Sequence, residues 1–540
     1  MIKLSEYVID FLASKGIYDV FLVSGGGMMH LLDAVGKNKQ MRYISNHHEQ
    51  ASATCAESYA RITNHIAACL VTTGPGGTNA ITGVAGAWLD SIPLIVISGQ
   101  VKTDVIANYA KLRQLGPQEL NIVQLVKPIT KYAVTITNPQ KIRYELEKCF
   151  YLATSGRSGP VWLDIPLDIQ SAKINPTDLQ SFVPPITDVD NSKLIKDFVI
   201  KTYLALKKAK RPVLIAGNGI RLAHAEELLR KFLKKYPMPV LLPFNGLDLL
   251  GEDEHFFVAK FGPGGQRRGN FVLQNADLVL SIGANLNIAS IGYDYQGFAP
   301  LATKIVVNID KEELKKKTLV INKHDLLIAS DAKIFLEELL KENHIIPIQD
   351  KWSNACKQWQ KKYPTIVKDF YTDKAHVNSY VFFDTLSDLL SPTAVLTTGI
   401  GLDAVSMYQA FKVKKGQRAY VNKNLGQMGW GLPGAIGACI GNKRQPTICV
   451  TGDGDIQVNI HELGVIAHYN LPIKIFVFNN GMYESIRSTQ NNLFDGRIVG
   501  ADKTSGVSCP NFKQLAKAYS IPYEKITINS QISKQIKKGT

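Results

Sequence analysis

Short runs of β-branched and aliphatic residues alternate with helical patterns along most of the chain. Each run ends at a Gly, Pro, Ser or Thr turn, which is typical of parallel βα units. In the first 180 residues the predicted strands are Tyr18–Val23, Arg42–Ser45, Ala67–Thr73, Pro93–Ser98 and Pro160–Ile165. This pattern predicts an α/β fold whose strands run parallel, with helices between them.

The same alternation returns twice, and a stretch without periodicity from Pro176 to about Asn191 is predicted to be a linker. A second block carries the predicted strands Pro212–Ala216, Ala276–Gly283 and Lys304–Ile309. We therefore predict three doubly wound parallel-sheet domains, at residues 1–180, 192–345 and 375–540, the second of them resembling dinucleotide-binding domains.

Two segments between and after these blocks carry weaker signals. Residues 346–380 are polar and aromatic, with Trp352, Trp359 and Tyr363, and are predicted to be a surface connection. Ile532–Lys538 is predicted to be a helix, whereas a doubly wound domain normally closes with one more strand. The pattern thus leaves open that a short C-terminal segment is missing.

Composition is that of a globular protein, with 45% hydrophobic and 20% charged residues among 540. Lys and Arg exceed Asp and Glu by 62 − 46 = 16, but the lysines lie in short scattered groups rather than in a long basic run. A solvated lysine-rich surface is the simpler interpretation, with attraction of polyanions as the alternative. We therefore predict neither a nucleic acid nor a membrane as partner.

The seven cysteines form no CxxC pair and no zinc-ligand spacing. Several of them lie in apolar stretches, so we interpret them as buried free thiols in a reducing compartment. Met1–Glu6 lacks the apolar core of a signal peptide, and the longest apolar runs are too short to span a bilayer. These features predict a cytoplasmic protein.

Candidate chemistry is concentrated at two strand ends in the third block. Gly452-Asp453-Gly454 follows the apolar strand that ends at Thr451. It is separated by 24 residues, which include a predicted helix and another strand, from Asn479-Asn480. Glycines let the backbone approach a diphosphate, while carboxylate and amide oxygens suit Mg²⁺. One βαβ unit would bring both groups to one sheet edge, so this spacing predicts a diphosphate and magnesium site.

This segment resembles the signature of thiamine diphosphate enzymes, which opens with GDG and closes with NN. Further segments, in order and over nearly the whole chain, resemble the acetolactate-synthase-like members of that family. These segments are Asn46–Gln50, Ala56–Arg61, Thr73–Asn79, Leu89–Leu94, Ser98–Val101 and Gly426–Pro433.

The resemblance implies a role for each matching residue. Glu49 would be the acid that exchanges a proton with the cofactor's aminopyrimidine ring, and Gln118 a hydrogen-bond donor near the substrate. The metal ligands would be Asp453, Asn480 and the carbonyl of Met482. The cofactor-binding set it implies is Gly401, Met428, Gly452, Asp453, Gly454, Asp455, Asn480 and Met482.

Two neighbouring histidines, His47 and His48, are less informative. The family usually has Arg-His-Glu-Gln at this place, so we interpret His48 as a packing residue and His47 as a substitution. The resemblance also implies a homodimer or homotetramer, because in this family the two halves of each site come from different subunits.

Departures from the family pattern affect the acceptor site and the flavin. The family's substrate-sorting Trp is Thr489 here and a nearby Met is Ser485, which predicts a roomier and more polar acceptor site. Arg487 and Arg497 are candidate anion ligands, with exposed helix or loop arginines as the alternative.

FAD, which acetolactate synthases bind, stays open. Arg157 matches a flavin contact of the family, but Asn285–Ala289 and Pro263–Gly265 depart from its flavin-binding segments.

The function implied is a thiamine diphosphate- and Mg²⁺-dependent carboligase or lyase. It would decarboxylate a 2-oxo acid such as pyruvate and join the remainder to an acceptor carbonyl, as acetolactate synthase does. The alternatives are a larger acceptor such as a keto-sugar nucleotide, cleavage of a dione, and a catalytically silent paralogue.

Overall fold

A computed structural model describes residues 1–185, 192–342 and 345–538. Among these residues, one compact unit is made of 1–185 with 422–522, and the other of 192–421 with 523–538. The end of the predicted linker, residues 186–191, lies outside the described residues. No helix in the described ranges is long and apolar enough to cross a membrane.

The N-terminal region forms a six-stranded parallel sheet in the order β3-β2-β4-β5-β7-β6, and the short strands β1 and β8 pair antiparallel beside it. The strands are β1 Ile2–Lys3, β2 Asp19–Leu22, β3 Arg42–Ser45, β4 Ala67–Val71, β5 Leu94–Gln100, β6 Tyr132–Thr135, β7 Pro160–Pro166 and β8 Lys173–Ile174. The helices are α1 Leu4–Ser14, α2 Met29–Lys37, α3 Glu49–Thr63, α4 Pro75–Leu89, α5 Ile122–Val126, α6 Ile142–Thr154 and α7 Leu167–Ser171.

The central region forms a second parallel sheet of six strands in the order β11-β10-β9-β12-β13-β14. This order, with the first strand in the middle, is that of doubly wound dinucleotide-binding domains. Its strands are β9 Pro212–Ala216, β10 Val240–Leu242, β11 Phe257–Lys260, β12 Leu278–Ile282, β13 Thr303–Asn308 and β14 Leu326–Ala329. Its helices are α8 Ser192–Lys208, α9 Gly219–Leu222, α10 Glu226–Lys235, α11 Arg267–Asn275, α12 Ile288–Ile291 and α13 Ala332–Lys341.

The remaining strands also pair in parallel, β15 with β16 and β17 with β18. They are β15 Val395–Thr398, β16 Arg418–Tyr420, β17 Thr447–Gly452 and β18 Ile473–Phe478. The helices of this part are α14 Asp350–Lys362, α15 Lys368–Thr372, α16 Ser379–Leu389, α17 Leu402–Ala410, α18 Gly431–Gly441, α19 Asp453–Gln457, α20 Leu463–His468, α21 Glu484–Leu493, α22 Phe512–Ala518 and α23 Ile532–Lys538. The predicted α/β class with three regions of parallel sheet is thus confirmed.

The prediction for residues 346–380 was wrong in part, because this segment is more than a surface connection. It contains the 13-residue helix α14, whose Trp352 and Cys356 are buried in the core of the central region. Trp352, Cys356 and Trp359 are spaced by four and three residues, so they share one face of the helix. The lysines and glutamines around these three residues make the segment polar on average, so its composition did not indicate an apolar face.

The cysteines are free, as predicted. Six of them are buried and Cys509 is half-buried.

Candidate active site

Glu49 occupies the first position of α3, directly after the short loop that follows β3. His48 caps this helix, since its Nδ1 accepts a hydrogen bond of 3.1 Å from the backbone N–H of Gln50. The Glu49 side chain is only 8% exposed. A local capping arrangement therefore fixes a buried carboxyl group at a strand-to-helix turn, and it gives His48 the structural role expected for it.

The two carboxylate oxygens of Glu49 have different surroundings. Asn79 Nδ2 of α4 donates a hydrogen bond of 2.9 Å to Oε2. A Cβ placed on Gly76 would lie 3.5 Å from Oε1 and 2.8 Å from the methyl carbon of Thr72. Among the described residues Oε1 accepts no protein hydrogen bond. One oxygen is held by Asn79, and the other faces Gly76, where the close approach of the Thr72 methyl carbon favours glycine.

The loop before Glu49 is held by a residue from the C-terminal region of the same unit. Glu462 Oε2 accepts from Asn46 Nδ2 at 2.8 Å, and its Oε1 accepts from the backbone N–H of His47 at 2.9 Å. Burial raises the pKa of this carboxyl. Glu462 ends the short 3₁₀ turn Ile460–Glu462 that follows α19, so the segment bearing Asp453 continues into the residue that holds the Glu49 loop.

His47 and His48 both lie against His461, with ring centroids 6.4 Å and 5.9 Å away. Burial lowers the pKa of His461, and the two neighbouring histidines lower it further. The three rings thus pack together beside the Glu49 loop.

Asp453 and Asn480 come to one sheet edge, as the βαβ spacing predicts. Strands β17 and β18 pair in parallel with Gly452 opposite Phe478, so both chain segments leave the sheet at the same end. Asp453 is 2% exposed, and its Oδ2 accepts a hydrogen bond of 2.6 Å from the backbone N–H of Gly481. Asn480 is exposed, and its Oδ1 accepts from the N–H of Met482 at 3.2 Å.

The glycines of this edge differ in their surroundings. A Cβ on Gly454 would lie 2.2 Å from a ring carbon of Tyr483, so only glycine fits beneath this ring. A Cβ on Gly452 would meet nothing closer than 4.0 Å, so space is open beside it.

Cys509, which sequence reasoning did not single out, lies beside Asp453, and burial together with the Asp453 charge raises the pKa of its thiol to about 11.

Asp455 makes its contacts within the protein. Its Oδ1 accepts from the N–H of Gly429 at 3.0 Å, and its Oδ2 accepts from the hydroxyl of Thr451 at 2.7 Å. Asn459 Nδ2 donates to the carbonyl of the same Gly429 at 2.8 Å. Gly429 has a φ of +83° and follows Met428 directly. Asp455 and Asn459 therefore fix the backbone beside Met428, which is half-buried.

Gln118 lies on a loop that packs against the start of α4. Its φ is +62°, and a Cβ on Gly74 would lie 2.3 Å from its carbonyl oxygen, so glycine is required there. The loop is held by the buried Glu119, whose carboxylate accepts from the N–H groups of Ala107, Leu115 and Gly116. The Gln118 side chain is exposed.

Gly401 belongs to the other compact unit, where it precedes α17 as its N-cap residue. One compact unit contains Glu49, Gln118, Met428, Asp453, Asn480 and Met482, and the other unit contains Gly401.

The residues that depart from the family pattern lie on and after α21. Ser485 and Thr489 are exposed, and the Thr489 hydroxyl donates only within the helix, to the carbonyl of Ser485 at 2.9 Å. Arg487 Nε lies 3.3 Å from a carboxylate oxygen of Asp502, and the exposed Arg497 pairs with Asp495 at 3.2 Å. Arg157 donates to the Ser91 hydroxyl at 2.8 Å.

No group of three or more His, Cys, Asp or Glu side chains in the described ranges could hold a metal ion by itself. A cation at Asp453 and Asn480 would need four further oxygen ligands to reach the octahedral set of six that Mg²⁺ prefers, and two phosphate oxygens, a main-chain carbonyl and a water could supply them. The donor set and the open space beside Gly452 fit a bound diphosphate and its metal.

Four residues around this site were not predicted from the sequence: Asn79, Asn459, Glu462 and Cys509. The signal available for Asn79 was its place at the end of the Thr73–Asn79 motif. Asn459 lies outside every motif identified in the sequence, so no signal pointed to it.

Three domain models of one protein family match this chain. The N-terminal TPP binding domain of thiamine pyrophosphate enzymes matches residues 2–125, their central domain residues 200–339 and their C-terminal TPP binding domain residues 399–540. The chain belongs to the thiamine pyrophosphate enzymes, whose cofactor is also called thiamine diphosphate.

Within this class its relatives are acetolactate synthases. The large subunit from Cyanidium caldarium is 30% identical over 98% of this chain and 90% of its own length. The large subunit from Buchnera aphidicola subsp. Schizaphis graminum is 31% identical over 98% and 91%, and that from the Acyrthosiphon pisum subspecies is 32% identical over 95% and 88%. The resemblance stated from the motifs is confirmed, and the chain is a thiamine diphosphate-dependent enzyme of acetolactate-synthase-like sequence.

Proposed function

We propose that this enzyme decarboxylates pyruvate and joins the remaining two-carbon unit to an acceptor carbonyl, using thiamine diphosphate and Mg²⁺. With a second pyruvate as the acceptor the product is acetolactate, the compound in the names of its relatives. The observation that carries the proposal is the buried Glu49 carboxylate. Asn79 holds its Oε2, and its Oε1 accepts no hydrogen bond from the described residues.

The residues present fit the cofactor in three places. Glu49 would face the aminopyrimidine ring, and Met428 would support the bent cofactor. Asp453, Asn480 and the Met482 carbonyl would hold Mg²⁺ against the diphosphate, with Gly401, Gly452, Gly454 and Asp455 on the phosphate side. When bound, thiamine diphosphate supplies the electron sink that lets the 2-oxo acid lose CO₂.

The chain's own residues then carry out binding and proton transfer. Glu49 exchanges a proton with the ring nitrogen of the aminopyrimidine through Oε1, because Oε2 is already engaged. Gln118 donates a hydrogen bond to the substrate from a loop that Glu119 holds in place.

The test is the variant Glu49→Gln, which keeps the size of the side chain and removes the proton-exchanging group. We expect turnover of pyruvate to fall by about 100- to 10,000-fold, while titration of intrinsic fluorescence still detects cofactor binding. Glu147→Gln makes the same change at a partly exposed residue paired with Arg143 and should leave turnover unchanged. Wild-type turnover in Glu49→Gln would contradict the mechanism, and a wild-type protein without turnover would support a silent paralogue.

A larger acceptor is the second candidate, because the two small residues Ser485 and Thr489 are exposed at the positions where the family pattern has Met and Trp. Release of labelled CO₂ from pyruvate, measured with and without a keto-sugar nucleotide or a dione, separates the two. Stimulation by the larger acceptor with little acetolactate formed from pyruvate alone would favour this candidate. Acetolactate formed at a good rate from pyruvate alone would reject it.

The remaining expectations are parts of the same proposal. We propose a homodimer or homotetramer with shared sites, and a reducing, cytoplasmic compartment suited to the free thiols. Arg157 favours FAD binding, whereas Asn285–Ala289 and Pro263–Gly265 argue against it. The presence or absence of flavin absorbance bands in the purified protein would decide between the two.

A further inference from the structure

The side-chain amide of Asn79 is the one polar group that the structure places on the Glu49 carboxylate within the described residues. Asn79 lies in the second turn of α4, and its Nδ2 is 2.9 Å from Glu49 Oε2. An ionised carboxylate can only accept, so the amide must present its nitrogen and not its oxygen. The pair is therefore directional.

Both partners lie on rigid elements that pack closely. A Cβ on Gly83 of α4 would lie 2.6 Å from the Cβ of Ala53 and 2.9 Å from the backbone nitrogen of Thr54, so α3 and α4 meet through small residues. Asn79 is one helical turn from Gly83, and Glu49 is one turn from Ala53. The hydrogen bond is thus set by a helix-to-helix contact and not by a mobile loop.

The amide of Asn79 differs in its effect on Glu49 from a carboxylate or a methyl group at the same position. It donates without adding a charge, so it stabilises the ionised carboxylate and restricts its rotation while Oε1 stays open. A carboxylate in its place would repel Glu49 and favour a proton shared between the two groups. An alanine would leave Glu49 free to rotate in a buried space.

From this geometry we infer that Asn79 is a positioning residue for Glu49, which turns Oε1 toward the cofactor's aminopyrimidine ring. The inference rests on the proposed function, since it assigns Glu49 the proton exchange. It adds a second residue, on a different helix, that acts through Glu49 and not on the substrate.

The experiment compares Asn79→Ala, Asn79→Asp and the control Thr78→Ala. Thr78 lies in the same turn of α4, and its hydroxyl donates only to the Pro75 carbonyl. Each variant is examined by thermal unfolding without cofactor, by fluorescence titration with thiamine diphosphate and Mg²⁺, and by deuterium exchange of the cofactor's C2 proton without substrate.

For Asn79→Ala we expect the exchange rate to fall about 10- to 100-fold, the size of a lost hydrogen bond to a charged group. Its thermal midpoint without cofactor should stay close to that of Thr78→Ala. For Asn79→Asp we expect the acidic limb of the exchange-rate profile to move to higher pH, because two adjacent carboxylates retain a shared proton. Wild-type exchange in Asn79→Ala, or the same pH profile in both variants, would overturn the inference.

If Asn79 had a purely structural role, its variants would have a lower thermal midpoint. The folded protein that has bound thiamine diphosphate would then exchange the C2 proton at the wild-type rate. This result would also overturn the inference. Glu49→Gln keeps the two proposals apart. If Glu49→Gln exchanges the C2 proton normally, the proposed function fails. If Glu49→Gln is inactive and the Asn79 variants match wild type, only the positioning role fails.

Discussion

Asp164 of β7 is a fully buried carboxyl group that links the sheet to the loop bearing Gln118. It accepts hydrogen bonds from Ser98, Gln100 and Thr135, and the Gln100 amide also donates to the carbonyl of Leu120. Burial outweighs these hydrogen bonds and raises its pKa from 3.8 to about 7. This buried carboxyl group, connected through Gln100 to the Gln118 loop, thus couples stability to pH.

The direction of that coupling follows from the two pKa values. Between about pH 5 and 7 the folded protein keeps a proton on Asp164 that the unfolded chain has released. The free energy of unfolding therefore falls by about 1.4 kcal/mol per pH unit from this group, and the stabilisation is lost as the pH rises through the folded pKa.

The variant Asp164→Asn should remove this contribution, so urea denaturation from pH 5 to 8 should show a shallower fall in stability. Asp168→Asn is the control: burial raises the pKa of Asp168, but the hydrogen bonds from Thr103 prevail and lower it, so its titration lies below this window. If the free energy of unfolding changed with pH equally in Asp164→Asn and in wild type, Asp164 would be ionised in the folded protein across this range.

At the level of secondary-structure elements, helix α14 shows how one residue can attach a polar segment to a core. Trp352 is 5% exposed, and its indole N–H donates to the carbonyl of Pro212 at the start of β9 at 3.0 Å. The helix is otherwise rich in Lys and Gln, so this ring and Cys356, with the partly buried Ala355 and Trp359, supply its apolar contact with the central region.

Trp352→Ala should lower the free energy of unfolding by about 3–5 kcal/mol, the usual effect of deleting a buried aromatic ring. Trp352→Phe keeps most of the volume and should cost about 1 kcal/mol for the lost hydrogen bond. Trp359→Phe, on the half-exposed ring of the same helix, serves as the control for urea denaturation. A loss in Trp352→Ala no larger than in Trp359→Phe would contradict the packing argument.

At the level of the whole molecule, the proposed sharing of sites between subunits gives a test that needs no structure of the oligomer. Glu49→Gln and Asp453→Ala would each inactivate every site of their own homodimer. In a mixed dimer with shared sites, one site carries both changes and the other carries neither. Random reassociation of the two inactive variants should then restore about a quarter of wild-type activity.

Matched mixtures of each variant with itself, denatured and renatured in the same way, are the control. No recovery in the mixture would mean that each chain supplies both halves of its own site. The net charge of +16 enters at this level as well, since a positive surface attracts an anionic cofactor and a 2-oxo acid.

Local patterns along the chain predicted most of the elements and supplied most of the candidate residues. Strands β3 and β9 begin and end where the pattern predicts. The GDG and NN spacing predicted that Asp453 and Asn480 share an edge, because a βαβ unit has a fixed direction. Such features depend on residues close in sequence, whose periodicity and turn chemistry can be read directly.

The contacts that hold these candidates in place became visible in the folded chain. Asn79 reaches Glu49 across 30 positions, Gly429 reaches Asp455 across 26, and Asn46 reaches Glu462 across 416. Trp352 likewise appears as core only when β9 is beside it. The physical reason is that the partner of a buried polar or aromatic group is set by how distant segments pack, which no local pattern encodes.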